Sequence, residues 1–101
     1  MQALTALSDP TRQRIVEMLA KKPLSSGEIA RRFAMTAPAI SQHLRTLRRA
    51  KLVRVRAEAQ RRIYELDAEG VGEVERWIAR VRRFWGPRLD LLEARLSARD
   101  A

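Results

Sequence analysis

The stretch TAPAISQHLRTLRRAKLVRVRAEAQRRIYELD, residues 36–67, changes its hydrophobic period part-way along. In its first part the apolar residues Ile40, Leu44 and Leu47 recur at three- and four-residue steps, as on one face of a helix. In its second part apolar and basic residues alternate, which is typical of half-exposed β-strands. The stretch therefore predicts a helix capped by Thr36, followed by a β-hairpin with a basic tip at residues 57–62.

Two further helices are predicted upstream of this stretch. Serine or aspartate before Pro10, and serine after Pro23, supply the oxygen acceptors that cap a helix N-terminus. The predicted bounds are Ser8 or Asp9 to Lys22 for the first helix, and Ser25 or Ser26 to Phe33 for the second.

A long amphipathic segment follows the hairpin. Its apolar residues recur at helical spacing: Val71, Val74, Ile78, Val81, Trp85, Leu89, Leu92 and Leu96. At Gly86-Pro87 we expect a kink or a fresh helix start, because proline lacks the amide donor. This apolar face exceeds what a three-helix core can cover, and an uncovered apolar face of this size indicates a partner such as a second copy.

The charge of the chain points to a polyanionic ligand. The 101 residues include 21 Lys and Arg against 12 Asp and Glu, a net charge of +9. Residues 31–62 hold ten of the basic residues and one acid, Glu58, so about a third of the chain accounts for the whole net charge. Nucleic acid is the favoured partner, ahead of an anionic membrane surface.

Several function classes are excluded or disfavoured. The absence of cysteine excludes a disulfide scaffold, a thiolate zinc site and a thiol nucleophile. With one histidine and no glycine-rich phosphate loop, we expect no enzyme, no cofactor and no metal site. No apolar run reaches the roughly 20 residues of a membrane span, and the N-terminus does not read as a signal peptide. We therefore expect one cytoplasmic domain over residues 1–101, without a membrane partner.

Two helices joined by a short turn, the second of them basic, followed by a basic hairpin, describe a winged helix-turn-helix. This is a mainly α fold with a small β-hairpin. The helix that begins at Thr36 is then the recognition helix, which enters the major groove of double-stranded DNA. The hairpin is the wing, which lies along the neighbouring backbone or minor groove.

The outward face of the recognition helix carries candidate DNA contacts. Gln42 suits a bidentate contact to adenine, and Arg45 suits guanine or phosphate. Thr36 and Ser41 lie near the helix N-terminus, where phosphate contacts are favoured, and Thr36 also suits the role of cap. Arg49 lies on the same outward face, either as a phosphate contact or as a solvated charge.

On the wing, the candidate contacts to the DNA backbone are the arginines Arg54, Arg56, Arg61 and Arg62. For Arg61 or Arg62 a sharper hypothesis is insertion into the minor groove, since a narrow groove attracts arginine. Core or dimer packing is favoured over base stacking for the aromatic residues on apolar faces, which are Tyr64, Trp77, Phe84 and Trp85.

Three segments in the same order and spacing resemble the ArsR-type (ArsR/SmtB) bacterial repressors. They are ALTALSDPTRQRIVEML at residues 3–19, TAPAISQHLRTLRRAKLV at 36–53 and RRIYELD at 61–67. The closing segment WIARVRRFWGPRLDLL, residues 77–92, is similar to the cysteine-free branch of that family.

The resemblance implies a homodimeric transcriptional repressor that binds a palindromic operator. Residues 8–67 would form the DNA-binding core, and residues 1–7 and 68–99 the dimerisation helices. The implied interface residues on these helices are Leu4, Leu7, Ile78, Val81, Trp85, Leu89 and Leu92. The chain has neither the cysteine pairs nor the histidine and acid clusters through which family members sense metals, so metal sensing is not expected and the effector is unknown.

The resemblance also implies that His43, in the SQHL element, contacts DNA. Packing against the helix beneath and metal ligation are the alternatives for this side chain. For the whole chain, two alternatives to an operator-specific regulator stay open: a winged-helix protein-interaction module, and a non-specific DNA-binding protein.

Overall fold

A computed structural model describes residues 1–100 as helices packed on a small antiparallel sheet. The helices are α1 (Gln2–Ala6), α2 (Pro10–Lys21), α3 (Ser26–Ala30), α4 (Ala37–Arg49) and α5 (Ala68–Asp100). The strands are β1 (Leu24–Ser25), β2 (Val53–Glu58) and β3 (Arg61–Leu66). With α3 and α4 as the helix-turn-helix and β2 and β3 as the wing, the predicted winged helix-turn-helix is confirmed.

The helix starts follow the predicted caps. Asp9 accepts a 3.0 Å hydrogen bond from the backbone N–H of Arg12, and Thr36 accepts one of 3.2 Å from Ala39. Ser25 and Glu28 form a reciprocal capping box at the start of α3. Each cap satisfies a backbone donor that the first turn of a helix leaves free.

The second predicted helix is shorter than expected, because α3 ends at Ala30 and not at Phe33. The amides of Arg32 and Phe33 bond to carbonyls three residues earlier, so the chain tightens into a turn. Phe33 still packs against the core, and the Arg14 guanidinium lies 4.6 Å from the centre of its ring.

Strand β1 was not predicted from the sequence, since two residues carry no measurable alternation. Leu24 pairs with Tyr64 and Ser25 pairs with Ile63, which gives the sheet the order β1-β3-β2. The wing is therefore joined along β3 to the segment that precedes α3. At its tip both strands extend further than expected, to a two-residue turn at Ala59-Gln60.

The core lies between the sheet and the inner faces of α2, α3 and α4. Ile15, Ile29 and Leu52 are at most 1% exposed. The predicted apolar stripe of α4 is confirmed. Its three residues are also at most 1% exposed: Ile40, Leu44 and Leu47.

Helix α5 is a single helix of 33 residues that continues through Pro87, so the expected fresh helix start is wrong. Proline removes one amide donor, and the turns on both sides retain their own hydrogen bonds. Val71 and Val74 pack against the core, whereas Trp85 and Leu92 are 51% and 53% exposed. The distal part of α5 therefore extends from a molecule that measures 51 × 29 × 21 Å. Within residues 1–100, no helix has both the length and the apolar character needed to cross a bilayer.

The start of α5 contacts the turn that follows the recognition helix. The Gly70 amide donates a 2.8 Å hydrogen bond to the Lys51 carbonyl, and Lys51 adopts a left-handed φ of 61°. A Cβ atom at Gly70 would lie 2.3 Å from the Lys51 carbonyl oxygen. Only glycine permits this approach of two backbone segments.

Gly70→Ala should destabilise the fold by about 1–3 kcal/mol, because the backbone at Lys51 must shift to admit the methyl group. The measurement is urea unfolding followed by circular dichroism. Gly86→Ala is the matched control in the same helix, since no neighbouring atom lies within 4 Å of the added methyl group. There we expect unchanged stability or a gain of about 0.5–1 kcal/mol. Equal effects of the two substitutions would contradict the proposed role of the Gly70 contact.

Candidate nucleic-acid interface

The face of α4 opposite its buried stripe is polar and solvent-exposed. Gln42, Arg45 and Arg49 are exposed on it, and Ser41 and Arg48 are exposed on its flank. Among residues 1–99, three arginines of α4 form no ion pair with a carboxylate: Arg45, Arg48 and Arg49. Their guanidinium groups therefore remain available to an external anion, and Gln42 offers an amide with both donors and an acceptor.

Thr36 fulfils the role of cap at the N-terminus of α4. Its hydroxyl oxygen accepts from the Ala39 N–H, and the residue is exposed. A hydroxyl that accepts one hydrogen bond can still donate its own proton. The cap therefore leaves Thr36 a donor for a phosphate, near the positive end of the helix dipole.

His43 faces α2. Its side chain is 18% exposed, and its Nδ1 lies 3.3 Å from Nη1 of Arg12 and 3.9 Å from a carboxylate oxygen of Asp9. Because a guanidinium can only donate, the contact with Arg12 assigns Nδ1 as acceptor and places the ring proton on Nε2. One edge of the imidazole is thus held by α2.

Asp9 caps α2 and also lies close to His43. The backbone N–H of Arg12 lowers the pKa of the Asp9 carboxyl below its ordinary value, and the charge of Arg12 lowers it further. The carboxylate therefore stabilises the start of α2 as long as it stays ionised.

The wing arginines differ in their pairing. Arg54 contacts Glu65 at 2.9 Å, Arg56 contacts Glu58 at 2.7 Å and Glu65 at 3.5 Å, and Arg61 contacts Glu28 at 2.7 Å. In the part of the chain that the structure describes, Arg62 is exposed and has no such ion pair. Of the two candidates for minor-groove insertion, Arg62 is the one with an unneutralised charge.

Glu28 is a site residue that sequence reasoning missed. Its Oε1 accepts a 3.0 Å hydrogen bond from the Ser25 N–H and also receives the Arg61 guanidinium. The Ser25 N–H lowers the pKa of the Glu28 carboxyl below its ordinary value. The Ser25-x-x-Glu28 spacing indicates the capping box, but the link to a wing residue 33 positions later is visible only in the tertiary structure.

The expected dimer residues differ in exposure. Leu4 of α1, Leu7 directly after α1 and Val81 of α5 are half-buried. The other members of the set are exposed on α5: Ile78, Trp85, Leu89 and Leu92. Within residues 1–100, no cluster of three or more metal-ligating side chains is present.

Comparison with known proteins agrees with this architecture. A family described as "Helix-turn-helix domain" matches residues 7–56. The HTH-type transcriptional regulator Rv2034 of Mycobacterium tuberculosis is 44% identical over 84 residues, which are 83% of this chain and 76% of that protein. The crystal structure of an ArsR family transcriptional regulator, RHA00566, superposes with a TM-score of 0.75 and 27% identity, over 84% of this chain and 88% of that one. The chain belongs to the ArsR family.

A third relative of this ArsR-family regulator is a homodimeric winged helix-turn-helix DNA-binding domain from Mycobacterium bovis. It is 26% identical with a TM-score of 0.67, over 81% of this chain and 76% of that one. The chain is accordingly a DNA-binding transcriptional regulator and not an enzyme. In this ArsR-family protein α4 is the recognition helix.

The acid sensitivity of this ArsR-family regulator should depend on Asp9. Because the pKa of Asp9 is lowered in the folded state, its contribution to stability is present above about pH 4 and is lost as the pH falls through the lowered pKa. Asp9→Asn keeps a capping oxygen but removes the titration. Its free energy of unfolding, measured by urea titration from pH 7 to pH 2, should fall less steeply than that of the wild type.

Asp9→Ala is the control, because it removes the cap as well and should cost about 1 kcal/mol at pH 7. Superimposable pH profiles for the wild type and Asp9→Asn would contradict the role assigned to the Asp9 charge.

Proposed function

We propose that this chain is a homodimeric, sequence-specific transcriptional repressor that binds a palindromic operator and does not sense metals. The observation that carries the proposal is the outward face of α4, where Arg45 and Arg49 are exposed without an ion pair to any of residues 1–99. The apolar stripe holds α4 against the core and leaves its basic face exposed. A recognition helix presents such a face to the major groove.

Within this proposal the side chains of α4 have distinct tasks. Gln42 and Arg45 read base edges, because an amide and a guanidinium fork can each make two hydrogen bonds to one base. Thr36, Ser41 and Arg49 contact phosphates and fix the position of α4 on the duplex. His43 can contribute Nε2–H as a donor, since its Nδ1 is already held by Arg12.

The wing contributes mainly through charge. Arg62 reaches the backbone or the minor groove directly. The remaining wing arginines exchange their glutamate partners for phosphate oxygens on binding: Arg54, Arg56 and Arg61. Since these pairs are exposed, their rupture costs little, typically about 0–1 kcal/mol each.

Dimerisation would cover the apolar surface of α5. Ile78, Trp85 and Leu92 are about half exposed in the monomer, and an uncovered surface of this kind favours a partner. Leu4 of α1 and Leu7, directly after this helix, extend the same interface in our proposal. A two-fold dimer presents two recognition helices to successive major grooves, about 34 Å apart, and therefore requires a palindromic operator.

Arg45→Ala should weaken binding to the operator by roughly tenfold to a hundredfold, which corresponds to the loss of one bidentate base contact of about 1–3 kcal/mol. Gln42→Ala should have a similar effect and should relax selectivity at one base pair in each half-site. The operator is first selected from a random duplex library. Affinity is then measured by fluorescence anisotropy at several salt concentrations, with and without unrelated DNA.

Arg82→Ala is the matched control, since Arg82 lies on α5 and its guanidinium is within 3.7 Å of Asp90. The wild-type slope of log K against log salt should correspond to roughly 6–10 phosphates. Binding lost entirely to unrelated DNA would favour a non-specific DNA-binding protein. No binding even at low salt would favour the protein-interaction module.

The dimer is tested by the double substitution Leu89→Glu and Leu92→Glu. Because both side chains are solvent-exposed in the monomer, we expect the helical content to stay unchanged while the protein becomes monomeric in sedimentation velocity. Operator affinity should fall at least a hundredfold. Leu91→Glu is the control, since Leu91 is equally exposed but lies about 100° around the helix from Leu92. A dimer that survives the double substitution would contradict the proposed interface.

A further inference from the structure

A cavity lies between α1 and the C-terminal half of the recognition helix. Its volume is about 330 Å³, at the small end of the range for sites that bind small molecules. Ala6 and Ala50 form part of an apolar lining that Met1 extends. Two arginines from different helices, Arg12 of α2 and Arg49 of α4, also line this cavity.

Neither arginine forms a direct ion pair with a carboxylate within residues 1–99. Arg12 is half-buried, and its Nε donates a 2.6 Å hydrogen bond to the Ala6 carbonyl while Nη1 contacts Nδ1 of His43. Neither of these contacts supplies a negative charge. The charge of the Asp9 carboxylate acts on Arg12 from beyond ion-pairing distance, and in that part of the chain no carboxylate lies within ion-pairing distance of Arg12 or Arg49. A partly buried cation that has no direct ion pair stabilises an anion placed beside it.

We propose that this α1–α4 cavity binds a small organic carboxylate. Its carboxyl group pairs with the guanidinium groups of Arg12 and Arg49, and its apolar part covers Ala6 and Ala50. Arginine suits this ligand because its planar fork matches the two oxygens of a carboxylate. A neutral ligand of the same shape would leave both guanidinium groups without a direct ion pair.

The cavity also adjoins the recognition helix, so a bound ligand can change DNA binding. Arg12 bonds to α1 through Ala6 and to α4 through His43, and Arg49 belongs to α4 itself. A bound carboxylate neutralises Arg49 and competes for the guanidinium of Arg12. On the basis of the proposed operator binding, the carboxylate therefore lowers operator affinity, and by linkage the operator lowers carboxylate affinity by the same factor.

The binding step is tested without DNA, on the full chain, with benzoate and octanoate as probes. Thermal unfolding should show a Tm that rises with carboxylate concentration, because the ligand binds the folded state. Benzamide and octanamide, the neutral counterparts, should leave the Tm unchanged. By isothermal titration calorimetry, Arg49→Gln should raise the Kd of the carboxylate roughly tenfold or more, as expected for the loss of a charge-assisted bond.

Two further variants make the result specific. Arg12→Lys keeps the charge but not the fork, and should bind more weakly than the wild type and more tightly than Arg12→Gln. Arg31→Gln is the control, since Arg31 is exposed and lies outside the cavity. Arg49 is exposed on the helix surface, so its variant keeps the test valid even if Arg12→Gln fails to fold.

Three results would overturn the proposal. The first is a Tm increase with sulfate or phosphate equal to that with benzoate, which indicates a simple anion site. The second is no Tm shift with any carboxylate together with a weaker dimer in Arg12→Gln, which indicates that a second copy supplies the counter-charge. The third is an equal response of Arg49→Gln and Arg31→Gln.

The regulatory step has its own measurement. Saturating benzoate should lower operator affinity in the anisotropy assay by about 5- to 150-fold, the usual range of coupling between two sites. If benzoate binds by calorimetry but operator affinity is unchanged, the regulatory step is wrong while the site stands. If no operator binding exists at all, the proposed function fails and the calorimetric result is unaffected.

Discussion

The burial of Ile40, Leu44 and Leu47 is the constraint on which the DNA-binding face depends. These three side chains are at most 1% exposed and fix the rotation of α4 against the core. Since a helix turns by about 100° per residue, burying this stripe directs Gln42 and Arg45 outward without any further interaction. A change in that packing would rotate every proposed base contact at once.

Charge on this face is distributed in two ways. The arginines of α4 form no ion pair within residues 1–99, whereas Arg54, Arg56 and Arg61 of the wing contact glutamates. In our proposal the α4 arginines attract DNA phosphates without first breaking an ion pair, and the wing arginines exchange glutamate for phosphate. The Arg61–Glu28 pair also joins the wing to the start of α3, so the two elements that we propose to contact DNA form one unit.

Two contacts join this unit to the helices that we assign to dimerisation. The Gly70 amide meets the Lys51 carbonyl at the start of α5, and Arg12 connects α1 with His43 of the recognition helix. The first contact excludes a side chain at Gly70, and the second depends on the guanidinium of Arg12. The proposed carboxylate site lies beside the second contact, and it would therefore bind where α1 and α4 are already coupled.

The sequence by itself determined the features that local chemistry controls. The caps Asp9 and Thr36, the stripe of α4 and the basic hairpin all follow from residues within a few positions of one another. Only the tertiary structure decided the pairing of β1 with β3, the Arg61–Glu28 contact and the orientation of His43 toward Arg12. These features join residues that are tens of positions apart, and no periodicity encodes which side chains meet when helices and strands pack. The continuity of α5 through Pro87 was also decided only by the structure, although its cause is local, because the turns on both sides sustain the helix where one amide donor is missing.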